Sequence, residues 1–152
     1  MTSDEDFIPS AIAATVSGSL PSMNAEDANS LFSEMLHHVA VDCVNAGSWM
    51  IGHIKANVRS GDDFLSISVT TDNGNVRSRA AFTEIVNNYS MTVNVIVYGL
   101  ERKKVAEILV SNLRKILADV DITVHSQVGC EDPGCGDPLC QDENHKRIIP
   151  VE

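Results

Sequence analysis

No run of about eighteen apolar residues, the length a membrane-spanning helix requires, occurs in this chain, so no spanning segment is expected. Basic residues are also scarce. Eleven Lys and Arg stand against 21 Asp and Glu, for a formal net charge of −10. Affinity for nucleic acid comes mostly from Lys and Arg that neutralise phosphates, so this balance argues against a nucleic-acid partner and favours solubility instead. The apolar stretch Phe7–Leu20 is preceded by Ser3-Asp4-Glu5-Asp6 rather than by basic residues. It does not read as a secretory leader, and a cytoplasmic setting is the expectation. Catalytic signatures are missing as well: no GxSxG, HExxH, GxGxxG or phosphate-loop pattern is present.

Cysteine is rare too, yet three of the four cysteines fall within eleven residues. From His125 the chain runs His125-Ser-Gln-Val-Gly, Cys130-Glu-Asp-Pro-Gly, Cys135-Gly-Asp-Pro-Leu, Cys140-Gln-Asp-Glu-Asn, His145. A potential metal ligand recurs at every fifth residue, and Asp132, Asp137 and Asp142 each follow a Cys by two. Zinc is commonly held by Cys and His pairs joined by short turns, with two to four residues between Cys ligands. Gly, Pro and Asp supply such turns, and this stretch has all three. The expected donors are Cys130, Cys135, Cys140 and His145, with His125 as the alternative fourth ligand. Three thiolates with one imidazole favour Zn²⁺; Ni²⁺, Co²⁺ and Cu⁺ are compatible with the same donors. The first Cys gap also fits one iron–sulfur spacing. The other readings are a disulfide, which leaves one thiol over unless distant Cys43 joins, and a tail with incidental cysteines.

With 152 residues and 43% hydrophobic content, the chain suffices for one domain around a single core. Residues 1–22 read as a flexible extension with at most one short element near Ala11–Val16. Residues 23–128 read as an α+β domain, and 129–152 as a Cys/His metal-binding tail. A helix is expected over Ala25–Ala46, capped by Asn24, with Glu26 and Asp27 in its first turn and Gly47 as its stop. Leu31, Phe32, Met35, Leu36, Val39 and Cys43 form its apolar stripe, which makes Cys43 a core residue rather than a ligand. His37 and His38 fall at the stripe's edge, with His38 one turn from Asp42.

A hairpin follows: Trp49–Arg59 and Phe64–Thr71 alternate around the turn Ser60-Gly61-Asp62-Asp63. Met50, Ile54, Ala56 and Val58 are expected on one face of its first strand, with Ile51, His53, Lys55, Asn57 and Arg59 on the other. Residues Val76–Tyr89 fit a helix better than a strand. Met91–Tyr98 is the strongest strand, followed by a helix over Glu101–Ala118 and a strand over Asp121–Val128. A strand–helix–strand crossover is what a parallel pair requires. The expected architecture is therefore a mixed sheet of about four strands with helices on one face.

The second face of that sheet would be polar. His53, Lys55 and Arg59 would lie beside Ser66, Ser68, Thr70, Thr92, Asn94 and Tyr98, as a shallow anion site or as a plain solvated face. The hairpin Gly52-His53-Ile54-Lys55-Ala56, the Ser-rich return strand and Val93-Asn94-Val95-Ile96-Val97-Tyr98-Gly99 before a helix resemble the region that follows the nucleotide-binding domain in CobW-type metal-insertion GTPases. The family's GTPase motifs are absent here, so the resemblance implies an accessory domain linked to metal delivery and not hydrolysis. The resulting expectation is a non-enzymatic protein that stores or delivers zinc. The rival is a small enzyme or anion-binding domain that works through the polar face and keeps a structural metal. Another protein or a second copy could pair at a sheet edge.

Overall fold

The structure is a computed structural model and describes residues 8–117, 120–126 and 148–150. These form two helices and one seven-stranded antiparallel sheet. The strands are β1 (Ser10–Met23), β2 (Met50–Ser60), β3 (Asp63–Val69), β4 (Arg77–Ala80), β5 (Val86–Tyr98), β6 (Asp121–Ser126) and β7 (Ile148–Pro150). The helices are α1 (Ala25–Asn45) and α2 (Arg102–Ile116). Across the sheet the order is β4-β3-β2-β5-β1-β6-β7.

Both helices form where the periodicity of the sequence puts them. Asn24 caps α1, its Oδ1 accepting from the Asp27 N–H at 2.8 Å, and Glu26 and Asp27 lie in the positive first turn. The α1 stripe of Phe32, Met35, Leu36, Val39 and Cys43 is fully buried. On α2, Val105, Leu109 and Leu113 are fully buried too, and Ile108 nearly so. α1 packs on β2, β3 and β5, and α2 on β1 and β6. Their stripes join the inward residues of β1, β2, β3, β5 and β6 in one hydrophobic core. A side-chain bond ties the two helices together: Asn112, only 3% exposed, donates from Nδ2 to Asp42 Oδ2 at 2.9 Å.

Four expectations give way to long-range pairing. First, the sheet is antiparallel throughout. β5, α2 and β6 do make a crossover, but β1 lies between the two strands, pairing Ile12 with Val95 on one side and Ala14 with Val124 on the other. Two parallel strands separated by an antiparallel one never form a parallel pair. Second, residues from Ser10 on are not an extension. β1 is an interior strand, with Ile12, Ala14 and Val16 buried at 4% exposure or less. Third, the segment expected as a helix over Val76–Tyr89 holds β4 and the start of β5. Between them the backbone is satisfied by side chains, which removes the need for helical bonds. Asn29 accepts from the Phe82 N–H at 2.9 Å and donates to the Phe82 carbonyl at 3.1 Å. Asp63 accepts from the N–H groups of Thr83 and Glu84 at 2.9 and 3.0 Å.

Fourth, β2 changes phase at its start. A bulge between Ile51 and His53 shifts the register against β5, so Ile51 is buried and Met50 is exposed. Gly52 permits it: a Cβ there would lie 2.9 Å from the Ile96 carbonyl oxygen. Residues 148–150, which fall within the expected C-terminal tail, form β7 and pair with β6.

Candidate functional site

Both helices lie on one side, so the other face of the sheet is open. Its residues line up in rows across the strands. One row crosses all seven: Arg77, Ser68, Lys55, Asn94, Ala13, His125 and Ile148. Its neighbour holds Ala80, Ser66, Asn57, Thr92, Thr15, Thr123 and Pro150. A third holds Phe64, Arg59, Ser90, Ser17 and Asp121. Among the described residues, Asp121 is the one carboxylate at an outer-face position of β1 to β6, against Lys55, Arg59 and Arg77. The face is thus hydroxyl- and amide-rich with a modest positive excess.

His53, Lys55 and Arg59 occupy this face, as their alternation on β2 requires. They are strung along one strand rather than gathered: at about 3.3 Å per residue, Lys55 and Arg59 stand ~13 Å apart and His53 and Arg59 ~20 Å. A compact anion cannot meet all three. A depression of ≈ 610 Å³ forms around Arg59 instead, bounded by Asn57, Phe64, Ser90, Thr92, Thr15 and Ser17 and floored by Val16, Val58 and Met91. Of the three expected anion ligands only Arg59 lines it. Phe64, Arg59's cross-strand partner, is 41% exposed. Ser66, Ser68, Thr92 and Asn94 fall on this face as expected, while Thr70 lies past the end of β3.

The residues that sequence reasoning passed over here are Thr15, Ser17, Arg77 and Phe64. Thr15 and Ser17 were legible in the alternation of Ile12, Ala14 and Val16 with polar neighbours. Arg77 was hidden by the mixed periodicity of its segment. The depression itself depends on the order β3-β2-β5-β1, which local pattern does not contain.

Of the expected metal ligands, Cys130, Cys135, Cys140 and His145 lie outside the described residues. His125 is described. It sits half-buried on the outer face of β6, where Nε2 shares a hydrogen bond with Thr15 Oγ1 at 3.2 Å. Its ladder partner on β7 is Ile148. Among the described residues no group of three or more His, Cys, Asp or Glu could hold a metal ion.

Cys43 is fully buried, and burial, together with the neighbouring Asp42 carboxylate, pushes its thiol up to about 12. It is a core residue. His37, on the edge of α1, bonds through Nδ1 to the Gly74 carbonyl at 2.7 Å. Among the described residues no helix is long and apolar enough to cross a membrane. No family model, curated protein or solved structure matches this chain.

Proposed function

We propose that this protein binds a transition-metal ion, zinc foremost, through Cys130, Cys135 and Cys140 with His145 or His125 as fourth donor, and that it stores the ion or hands it on rather than catalysing a reaction. The five-residue repeat of donors motivates the reading. The observation that supports it best is the pairing of His125 with Ile148. A segment whose two ends are held side by side has lost much of the chain entropy that gathering its donors would otherwise cost. His125 also has the arrangement expected of a ligating imidazole. One ring nitrogen is oriented by a hydroxyl, and among the described residues no partner occupies the other, which suits a metal. The resemblance to the CobW-type accessory region points the same way. A cytoplasmic setting, which keeps thiols reduced, suits such a site.

The core supports delivery over a purely structural role. Small zinc domains fold only with metal because they lack a core, whereas here β1, β2, β3, β5, β6 and both helices share a continuous one. Elemental analysis of protein purified without added metal tests the proposal. One ion per chain is expected, with Cys135→Ser weakening retention more than His125→Ala. Equal zinc in the wild type and in the triple Cys130, Cys135, Cys140→Ser variant would sink it. Cys43 serves as the internal control, since its protonated, buried thiol should neither ligate nor react.

A further inference from the structure

We infer that the depression beside Arg59 is a binding site for a small anion carrying a flat apolar ring, in chemical class an aryl phosphate or aryl carboxylate. Arg59 would hold the anion and Phe64 the ring. Three observations combine there and nowhere else on the described part of the open face. The surface is concave, and its ≈ 610 Å³ falls within the roughly 300–1,000 Å³ usual for small-molecule sites. Among the described residues Arg59 is the one charged side chain lining it, with the Asp121 carboxylate one strand beyond Ser17 at the far end of the same row. Lys55 and Arg77 belong to the next-but-one row, away from the depression, which argues for a compact anion over a polyanion. Phe64 faces Arg59 directly in the β2–β3 register and keeps 41% of its surface in water. On a face otherwise built from hydroxyls and amides, a ligand ring that covers Phe64 removes apolar surface from water.

The remaining lining fits the same ligand. Ser17, Ser90, Thr15 and Asn57 offer hydroxyl and amide donors to the oxygens that the guanidinium leaves free. Beneath the depression the strands are anchored in the core: Val58 is fully buried, while Val16 and Met91 are at most 3% exposed. Among the described residues the lining includes none of the expected metal donors, so this inference stands apart from the metal-binding proposal.

The probe is phenyl phosphate, titrated into the full-length protein and followed by amide chemical shifts. Saturable shifts are expected at Arg59, Phe64 and Ser90, with weaker binding of inorganic phosphate and of phenol. Arg59→Gln should lower affinity by about tenfold or more, the factor expected for one charge-assisted contact. Phe64→Ser should erase the preference for phenyl phosphate over inorganic phosphate. Lys55→Gln, a cation on the same strand outside the depression, should leave affinity unchanged. Shifts that stay linear through the millimolar range, an Arg59→Gln variant that binds as well as wild type, or inorganic phosphate binding as tightly as phenyl phosphate would each overturn the assignment.

Discussion

His125 and Ile148 are direct partners in the ladder between β6 and β7. Cα atoms of such antiparallel partners are about 4.5–5.5 Å apart, so the two described residues that bracket Cys130, Cys135 and Cys140 in sequence lie side by side in the sheet.

Under the proposed metal-binding function, adding a chelator should loosen the β6–β7 edge of the sheet and leave the body intact. Amide exchange is expected to speed up in β7 and in β6 on its β7 side. The fully buried strand positions Val93, Val95 and Val97 should keep their protection, and the thermal midpoint should fall by only a few degrees. Hydrogen exchange with and without chelator checks this. Lost protection across β5 would mean that the metal supports the whole fold and that delivery should be dropped.

The bond between the helices should matter more than its exposed partner suggests. Asn112 donates to both Asp42 Oδ2 and the Ile108 carbonyl, each at 2.9 Å, and is itself buried. Asn112→Leu leaves that carbonyl and Asp42 without this donor, a loss of about 1–3 kcal/mol by the usual cost of unmade buried bonds. Asp42→Asn can keep an acceptor in place and should cost less. Urea unfolding of the two variants gives the comparison.

Asp63 ties the β2–β3 turn to the loop before β5, and its carboxyl is held below the usual carboxylate range. The Thr83 N–H is the largest cause, joined by the N–H groups of Glu84 and Phe64. A carboxyl whose folded value lies below its unfolded one stabilises the fold above the unfolded value of about 3.9. That contribution is lost as pH falls through the folded value. Asp63→Asn should remove this part of the acid dependence while leaving stability near neutrality only slightly changed, because the group is exposed to solvent. Stability measured from pH 2 to 7 (roughly the window these carboxyl values define) on both proteins checks the sign. A wild type that gains stability on acidification would contradict it.

Gly18 and Tyr89 should be coupled. A Cβ at Gly18 would lie 2.7 Å from the Tyr89 hydroxyl and 3.0 Å from Cζ. Among the described residues that hydroxyl is buried without a hydrogen-bond partner, and burial pushes its pKa up to about 12. Gly18→Ala should destabilise by about 1–3 kcal/mol, as overpacking does, whereas Tyr89→Phe should be neutral or stabilising. The double variant should recover part of the loss, since only the outermost clash is relieved. A double-mutant cycle reads the coupling; strict additivity would refute it.

Much of this molecule was legible locally. The stripes of α1 and α2, the Asn24 cap, the hairpin of β2 and β3 and the polar alternation of His53, Lys55 and Arg59 all follow from periodicities that each segment carries by itself. So does the five-residue repeat of possible metal donors. What tertiary structure alone decided is adjacency. Alternation says which side of a strand seeks the core, but it is silent on which strand lies next to it, because backbone hydrogen bonds pair equally well with any neighbour of suitable length. Hence β1, weakly apolar and close to the N-terminus, became an interior strand between β5 and β6. The Gly52 bulge exchanged Met50 and Ile51 between faces. Asn29 and Asp63 captured the backbone of residues 82–84 and kept it from becoming a helix. Arg59, Phe64, Ser90 and Ser17, far apart in the chain, came to line one depression because β3, β2, β5 and β1 lie side by side.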